Sequence, residues 1–221
     1  MNGMIEVHGI IIKVMPVGDY DRRITILTRE CGKIGAFARG ARRQGSALMG
    51  AARVFACGTF RLYEGRDSHT LHSASVDDYF EAVSEDMESA CYGSYFLELA
   101  DYYAREALKD PAMLNLIYYA LKALSCPSIP RKITRRIYEL RLMYIEGEIP
   151  ASAPKGASEA MRYTFAYIVE TPLPRLFTFV VNDEVYGELA SYVDRMVVRN
   201  IDKKMNSLDI LQVMTEEKSE A

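Results

Sequence analysis

Cysteine and histidine are scarce in this chain of 221 residues, with four cysteines and three histidines in all. Cys31, Cys57, Cys91 and Cys126 lie 26, 34 and 35 positions apart, so no C-x-x-C pair exists. Zinc sites usually draw ligands from close pairs, because a short loop can present two side chains to one ion at little cost. His69 and His72 fall on a predicted strand, where their spacing sends the two rings to opposite faces. The cysteines therefore read as small buried hydrophobes in a reducing compartment, and no metal or other cofactor is expected. Long apolar runs are missing too. The longest charge-free stretch, residues 111–121, falls far short of the roughly 20 residues of a membrane span. Residues 1–15 have no basic start and no small-residue cleavage site, so no signal peptide is expected. A soluble, cytoplasmic protein follows.

Catalytic signatures are also absent. The sequence contains no G-x-S-x-G, no G-x-x-x-x-G-K-[ST], no G-x-G-x-x-G and no H-E-x-x-H. Asp77-Asp78 and Glu85-Asp86 are adjacent carboxylates, but neighbours in sequence rarely converge on one reacting centre. The second pair opens a predicted helix, where acids complement the macrodipole. Ser46 has no histidine near it in sequence. An enzyme is the weakest reading.

Periodicity divides the chain in two. Residues 6–15, 21–28, 33–39, 54–63 and 70–76 are short β-branched runs separated by turns around Gly18, Gly32, Gly40, Gly45 and Gly65-Arg66-Asp67. Five such strands predict a small, closed or nearly closed barrel. After Asp77 the spacing turns helical. Leu97, Ala100, Ala104, Ala107 and Leu108 follow one stripe, and Leu114, Ile117, Leu121 and Leu124 another. Further helices are predicted from Pro130 to about Ile145, over 158–169 and 183–199, and around 207–213 ahead of a frayed polar tail, 216–221. The fold class is α+β and multidomain, with a β-barrel over residues 1–78 and an α-helical domain over 79–221.

Charge follows the same division. The whole chain carries a formal net charge of −3, yet residues 1–80 hold 11 Lys+Arg against 8 Asp+Glu. Between Arg22 and Arg66 ten basic residues face only Glu30 and Glu64. Strand alternation in 33–39 places Lys33, Phe37 and Arg39 on one face and Ile34, Ala36 and Ala38 on the other. In 54–63 one face carries Phe55, Thr59, Arg61 and Tyr63. Cations interleaved with rings suit single-stranded nucleic acid, the cations tracking phosphates and the rings stacking on bases. A barrel whose outer face is merely soluble would show the same stripe.

The loop Arg39-Gly40-Ala41-Arg42-Arg43-Gln44-Gly45-Ser46 favours phosphate binding. Three arginines occupy eight positions, with no acid between Lys33 and Arg61. Glycine lets backbone approach a phosphate closely, and arginine grips its oxygens with a planar fork. Arg22 and Arg23 extend the patch. On the third predicted helix Arg131, Lys132, Arg135, Arg136 and Arg141 lie beside an apolar stripe of Ile133, Ile137, Leu140 and Tyr144. They form either a solvated face paired with acids or the cationic rim of a groove for an acidic, hydrophobic-ended peptide.

These residues, in order, resemble a known family. The succession Gly9-Ile10-Ile11-Ile12-Lys13, Gly18-Asp19-Tyr20-Asp21-Arg22-Arg23, Leu27-Thr28-Arg29-Glu30, Gly32-Lys33-Ile34 and Ala38–Arg43 is similar to the N-terminal signature of RecO, the bacterial recombination mediator family. The likeness continues through Leu62-Tyr63-Glu64-Gly65, Tyr138–Met143 and Lys204-x-x-Ser207-Leu208. It implies an N-terminal OB-fold, a helical C-terminal domain and no catalytic residue. It further implies binding of single- and double-stranded DNA, annealing of complementary strands, and help in loading RecA with the partners RecR and single-stranded-DNA-binding protein (SSB), in the bacterial cytoplasm at the nucleoid. Arg22, Arg23, Lys33, Arg39, Arg42, Arg43 and Arg61 are the expected phosphate contacts. Phe37, with Phe55 or Tyr63, would stack bases. Arg131, Lys132, Arg135 and Arg136 are the expected seat of the SSB tail. Many relatives carry a four-cysteine zinc module after the segment matching Tyr138–Met143; here residues 146–158 contain no cysteine, so a loop without zinc is expected. Two rival readings remain: an adaptor whose basic loop docks an acidic protein, and an RNA-binding OB protein.

Overall fold

The structure is a computed structural model describing residues 3–66 and 68–219, so Asp67 of the fifth predicted turn and the last two residues of the tail lie outside the described residues. It falls into two compact units. The first comprises residues 1–81 and 100–114, the second residues 82–99 and 115–221.

The first unit is built on five strands: β1 (Met4–Val17), β2 (Asp21–Thr28), β3 (Gly32–Ala38), β4 (Cys57–Tyr63) and β5 (His69–Asp78). They close into an OB-like barrel in the order β1-β2-β3-β5-β4, with β1 also paired to β4. All pairs are antiparallel except β3 with β5, which share two rungs. Alternation fills the interior with Ile24 and Ile26 of β2, Ile34, Ala36 and Ala38 of β3, and Phe60 and Leu62 of β4. Each large side chain there contributes about 1.5–3 kcal/mol by leaving water.

The long strand β1 changes partners along its length, and Gly9 is where it does so, opposite both Thr28 and Gly58. A Cβ at Gly9 would stand 2.2 Å from the Leu27 carbonyl oxygen, a backbone atom that cannot step aside. Gly9→Ala is therefore expected to destabilise the protein by about 2 kcal/mol or more, read as a lowered urea midpoint. A change below about 0.5 kcal/mol would show that the crossing relaxes freely.

Two expectations fail in this unit. The strand predicted from residue 54 begins only at Cys57, because Phe55 adopts φ +72° and interrupts the alternation. Its backbone N–H donates to Ile11 O at 3.1 Å, and its ring is buried rather than set on the outer face. The helical stripe through Ala104, Ala107 and Leu108 is also interrupted. Helix α3 (Met87–Tyr103) stops first, and the next residues turn back to the barrel; α1 (Leu48–Ala51) and α2 (Glu81–Glu85) are short helices before it. Ala107 N–H donates to Cys31 O at 3.1 Å, Lys33 N–H donates to Arg105 O at 3.0 Å, and Glu106 bridges Gly32. Ala107 takes φ +59° to make this turn, which leaves Leu108 exposed.

The second unit is helical. Following α4 (Pro111–Leu124) come α5 (Arg131–Ile145), α6 (Glu159–Glu170), α7 (Leu173–Leu176), α8 (Asp183–Asn200) and α9 (Asn206–Ser219). The last is longer than the predicted 207–213 and takes in residues read as tail. Side-chain caps fix the starts of α6 and α8, among others: Ser158 Oγ accepts from Met161 N–H, and Asn182 Oδ1 accepts from Val185 N–H. Helix α5 packs against α6 and α8 and buries Ile133, Ile137, Leu140 and Leu142. Tyr138 is buried with them, its ring stacked 4.2 Å from Phe96 and its hydroxyl donating to Phe96 O at 2.9 Å. Of the four cysteines only Cys57 is fully buried; Cys31, Cys91 and Cys126 are half-buried.

Candidate nucleic-acid interface

The outer face of β1, β2 and β3 carries the cation and ring pattern. Register aligns Met15 with Arg23 and Arg23 with Phe37, so the three form one row across the barrel wall. Arg23 is exposed, with its guanidinium 5.9 Å from the centre of the half-buried Phe37 ring. In the next row Lys13, Thr25 and Gly35 are aligned. A Cβ on Gly35 would meet only an Arg23 Nη2 at 3.9 Å, so the wall beside Phe37 is bare backbone. A cleft of about 370 Å³ opens there, lined by Arg23, Lys33, Gly35, Arg66, Glu64 and Glu106 among others.

At one end of this face the β1–β2 turn and the arginine loop are tied together. Gly18, at φ +54°, permits the tight reversal that a side chain would strain. Arg42 N–H donates to Tyr20 O at 2.9 Å and Arg42 Nη1 donates to Gly18 O at 2.9 Å. Gly40 N–H donates to Asp21 Oδ1 at 2.7 Å. Arg43 lies 4.8 Å from the centre of the Tyr20 ring. Arg39, Arg42 and Arg43 are all exposed, and none forms an ion pair among the described residues. Such a cluster of like charge is unfavourable until an anion neutralises it.

The other expected phosphate contacts are engaged within the fold. Arg22 Nη1 donates to Met49 O and Ala52 O, closing the end of α1. Lys33 Nζ bonds Asp101 through both its carbonyl and its carboxylate, at 2.8 and 3.0 Å. Arg61 pairs with Glu6 at 2.8 Å on β4, two strands away from β3 in the closed order. Phe55 is buried, whereas Tyr63 is exposed beside His72. Tyr20 was not singled out by the sequence, since a loop tyrosine has no periodicity to betray it.

The helical cluster divides likewise. Arg131 bonds Ser89 Oγ at 2.7 Å and pairs with Asp86 and Glu88, while the exposed Lys132 lies over Tyr186. Arg135 and Arg136 converge on Glu139, which is only 1% exposed. Arg135 Nε donates to Glu139 Oε1 at 2.8 Å, Arg136 Nη1 to Oε2 at 3.0 Å, and Tyr95 Oη to Oε1 at 2.6 Å. Arg136 then spans to Asp194 on α8, with bonds of 2.6 and 3.1 Å. Burial alone would lower the Arg136 pKa, but Glu139 and Asp194 more than reverse this and hold it well above the ordinary arginine range. Burial, then Glu139, raises the Tyr95 hydroxyl well above its usual value and keeps it a donor.

Comparison with known proteins bears on this architecture. The family model for the recombination protein O N-terminal domain matches residues 1–80, the whole barrel sequence. A DNA repair protein RecO from Acetivibrio thermocellus is 27% identical over 95% of this chain and 97% of its own length. The chain is therefore similar to RecO proteins over nearly its whole length, and its first 80 residues match the family's N-terminal domain. A second RecO, from Alkaliphilus metalliredigens, is 30% identical over 66% of this chain and 60% of its own. That of Listeria welshimeri is 29% identical over 66% of this chain and 57% of its own. No helix among the described residues of this RecO-like chain is long and apolar enough to cross a membrane.

Proposed function

We propose that this RecO-like protein is a RecO that acts in DNA repair as a non-enzymatic mediator that binds single- and double-stranded DNA, anneals complementary strands and, with RecR, helps load RecA onto SSB-coated DNA. The observation that carries the DNA reading is the exposed trio Arg39, Arg42 and Arg43, none of them in an ion pair among the described residues, on a loop bonded to the β1–β2 turn beside the Arg23–Phe37 row. Phosphates would lie on the arginines and bases on Phe37, with bare backbone at Gly35 admitting close approach. Residues 1–78 would form the nucleic-acid module, and 79–221 would serve protein partners. For an acidic SSB tail, Lys132 is the accessible cation, since Arg131 is paired with Asp86 and Glu88, and Arg135 and Arg136 are bound to Glu139. Annealing needs no nucleotide hydrolysis, because pairing is downhill once two charged strands are screened and brought together.

Fluorescence anisotropy of a labelled single strand across a salt series tests this reading. If about five phosphates are neutralised, affinity should fall roughly 100-fold between 50 and 200 mM salt. A flat response would refute DNA binding through the arginine loop and favour an adaptor docked on an acidic protein.

A further inference from the structure

The β1–β2 turn presents an apolar tip beside the arginine loop, with Asp19 exposed next to Tyr20 and Asp21 bonded to Gly40 N–H. Met15, Pro16, Val17 and Tyr20 are all exposed, Met15 by 50% and Tyr20 by 53%. Side chains of this size are ordinarily withdrawn from water, and here four stand on one hairpin end. Arg39, Arg42 and Arg43 flank them without an acidic partner among the described residues, and the Arg43 guanidinium lies against the Tyr20 ring.

We infer that Tyr20 is a stacking residue for one unpaired base and gives the protein a preference for single strands over duplex. This rests on the nucleic-acid reading above and adds to it a residue and a substrate state. Charge complementarity selects the occupant, because only a polyanion with flat apolar groups satisfies both the arginines and the ring. A protein surface rich in acids would neutralise the arginines but leave Tyr20 without a flat partner. The ring is already placed. The Arg42 bonds to Tyr20 O and Gly18 O fix the turn, and the Asp21–Gly40 bond fixes its base, so little freedom remains to be lost on binding. In a duplex each base is covered by its neighbours, and exposing one costs a few kcal/mol, so the ring gains nothing there. One face of Tyr20 is taken by Arg43; the other would take the base, making a guanidinium–ring–base stack beside the phosphate contacts.

The sequence contains no tryptophan, so Tyr20→Trp introduces a single fluorescent reporter at the tip. Titration with an oligo(dT) strand should quench and shift its emission over the concentrations at which anisotropy rises, while a blunt duplex should leave it nearly unchanged. Tyr20→Ala should weaken oligo(dT) binding by roughly 5- to 150-fold, the range for one lost base–ring stack, with duplex affinity within twofold and the salt slope unchanged. Tyr20→Phe should restore single-strand binding. If wild type binds with the steep salt dependence but Tyr20→Ala binds equally well, or loses both substrates alike, the stacking role is overturned and the DNA reading stands. An unperturbed indole emission from the Tyr20→Trp variant during saturating binding overturns it too. Failure of wild type to bind at all overturns both.

Discussion

Replacing Glu139 by alanine should destabilise the helical unit by about 3–5 kcal/mol, the cost of breaking a buried ion pair from one side. Glu139 is the shared acceptor of Tyr95, Arg135 and Arg136, and its side chain is 1% exposed. Its removal leaves Arg135 without this partner and Arg136, whose side chain is 10% exposed, with Asp194 alone. Asp194 is itself half in water and cannot compensate the end of the guanidinium that faced Glu139. Glu139→Gln keeps an acceptor for Tyr95 and the arginines but loses the charge, so a smaller loss is expected. Urea denaturation followed by circular dichroism reads both. A Glu139→Ala penalty below about 1 kcal/mol would mean that water reaches the two guanidinium groups and that the network is not buried in solution. The same arithmetic makes Arg136 unsuitable as a test of partner binding, since its replacement would weaken the fold before it weakened any complex. Lys132, exposed and over Tyr186, is the residue to replace for that purpose.

The barrel was legible because its physics is local and periodic. Alternation in 33–39 predicted Ile34, Ala36 and Ala38 inside and Phe37 outside, and the structure places them so. Glycine-marked turns gave the strand ends to within a few residues. The errors lie where a distant contact overrides local preference. Nothing near Phe55 announces a left-handed residue; the cause is pairing of its backbone with Ile11, more than forty positions earlier. The stripe through Ala104 and Ala107 has sound helical spacing, yet the bridge to Gly32 and the bond to Cys31 draw that segment against the barrel instead. On α5, the sequence left Arg135 and Arg136 either on a solvated face paired with acids or on the cationic rim of a groove; the fold pairs them with acids but withdraws them from water. Glu139 lies within one turn of both, but Asp194 is 58 residues away, and only the fold unites them. The candidate site divides on the same ground. The arginine loop shows in composition alone, whereas Tyr20, and the retention of Arg22 and Lys33 by backbone and carboxylate, require the folded chain.

Arg42→Ala combined with Arg43→Ala should lower DNA affinity on the order of 100-fold at low salt, taking about 1.5 kcal/mol for each lost charge-assisted phosphate contact. The loss should be nearly the same for every sequence tested, because phosphate contacts carry no sequence information. It should also flatten the salt slope, by roughly 0.7 per lost contact on a single strand. Both side chains are exposed, so the thermal midpoint should hardly move. Arg42 has a second task, bonding Gly18 O, and its removal loosens the turn as well. Lysine replacements separate the two effects: Arg42→Lys with Arg43→Lys keeps the charge and most of the slope but loses the planar fork. Arg61→Ala should cost less, since Glu6 already screens that cation on β4. An affinity loss with an unchanged salt slope would mean that the arginines act by shaping the turn rather than by neutralising phosphate. A loss confined to one sequence would mean that they read bases, and either result would move the phosphate path off this loop.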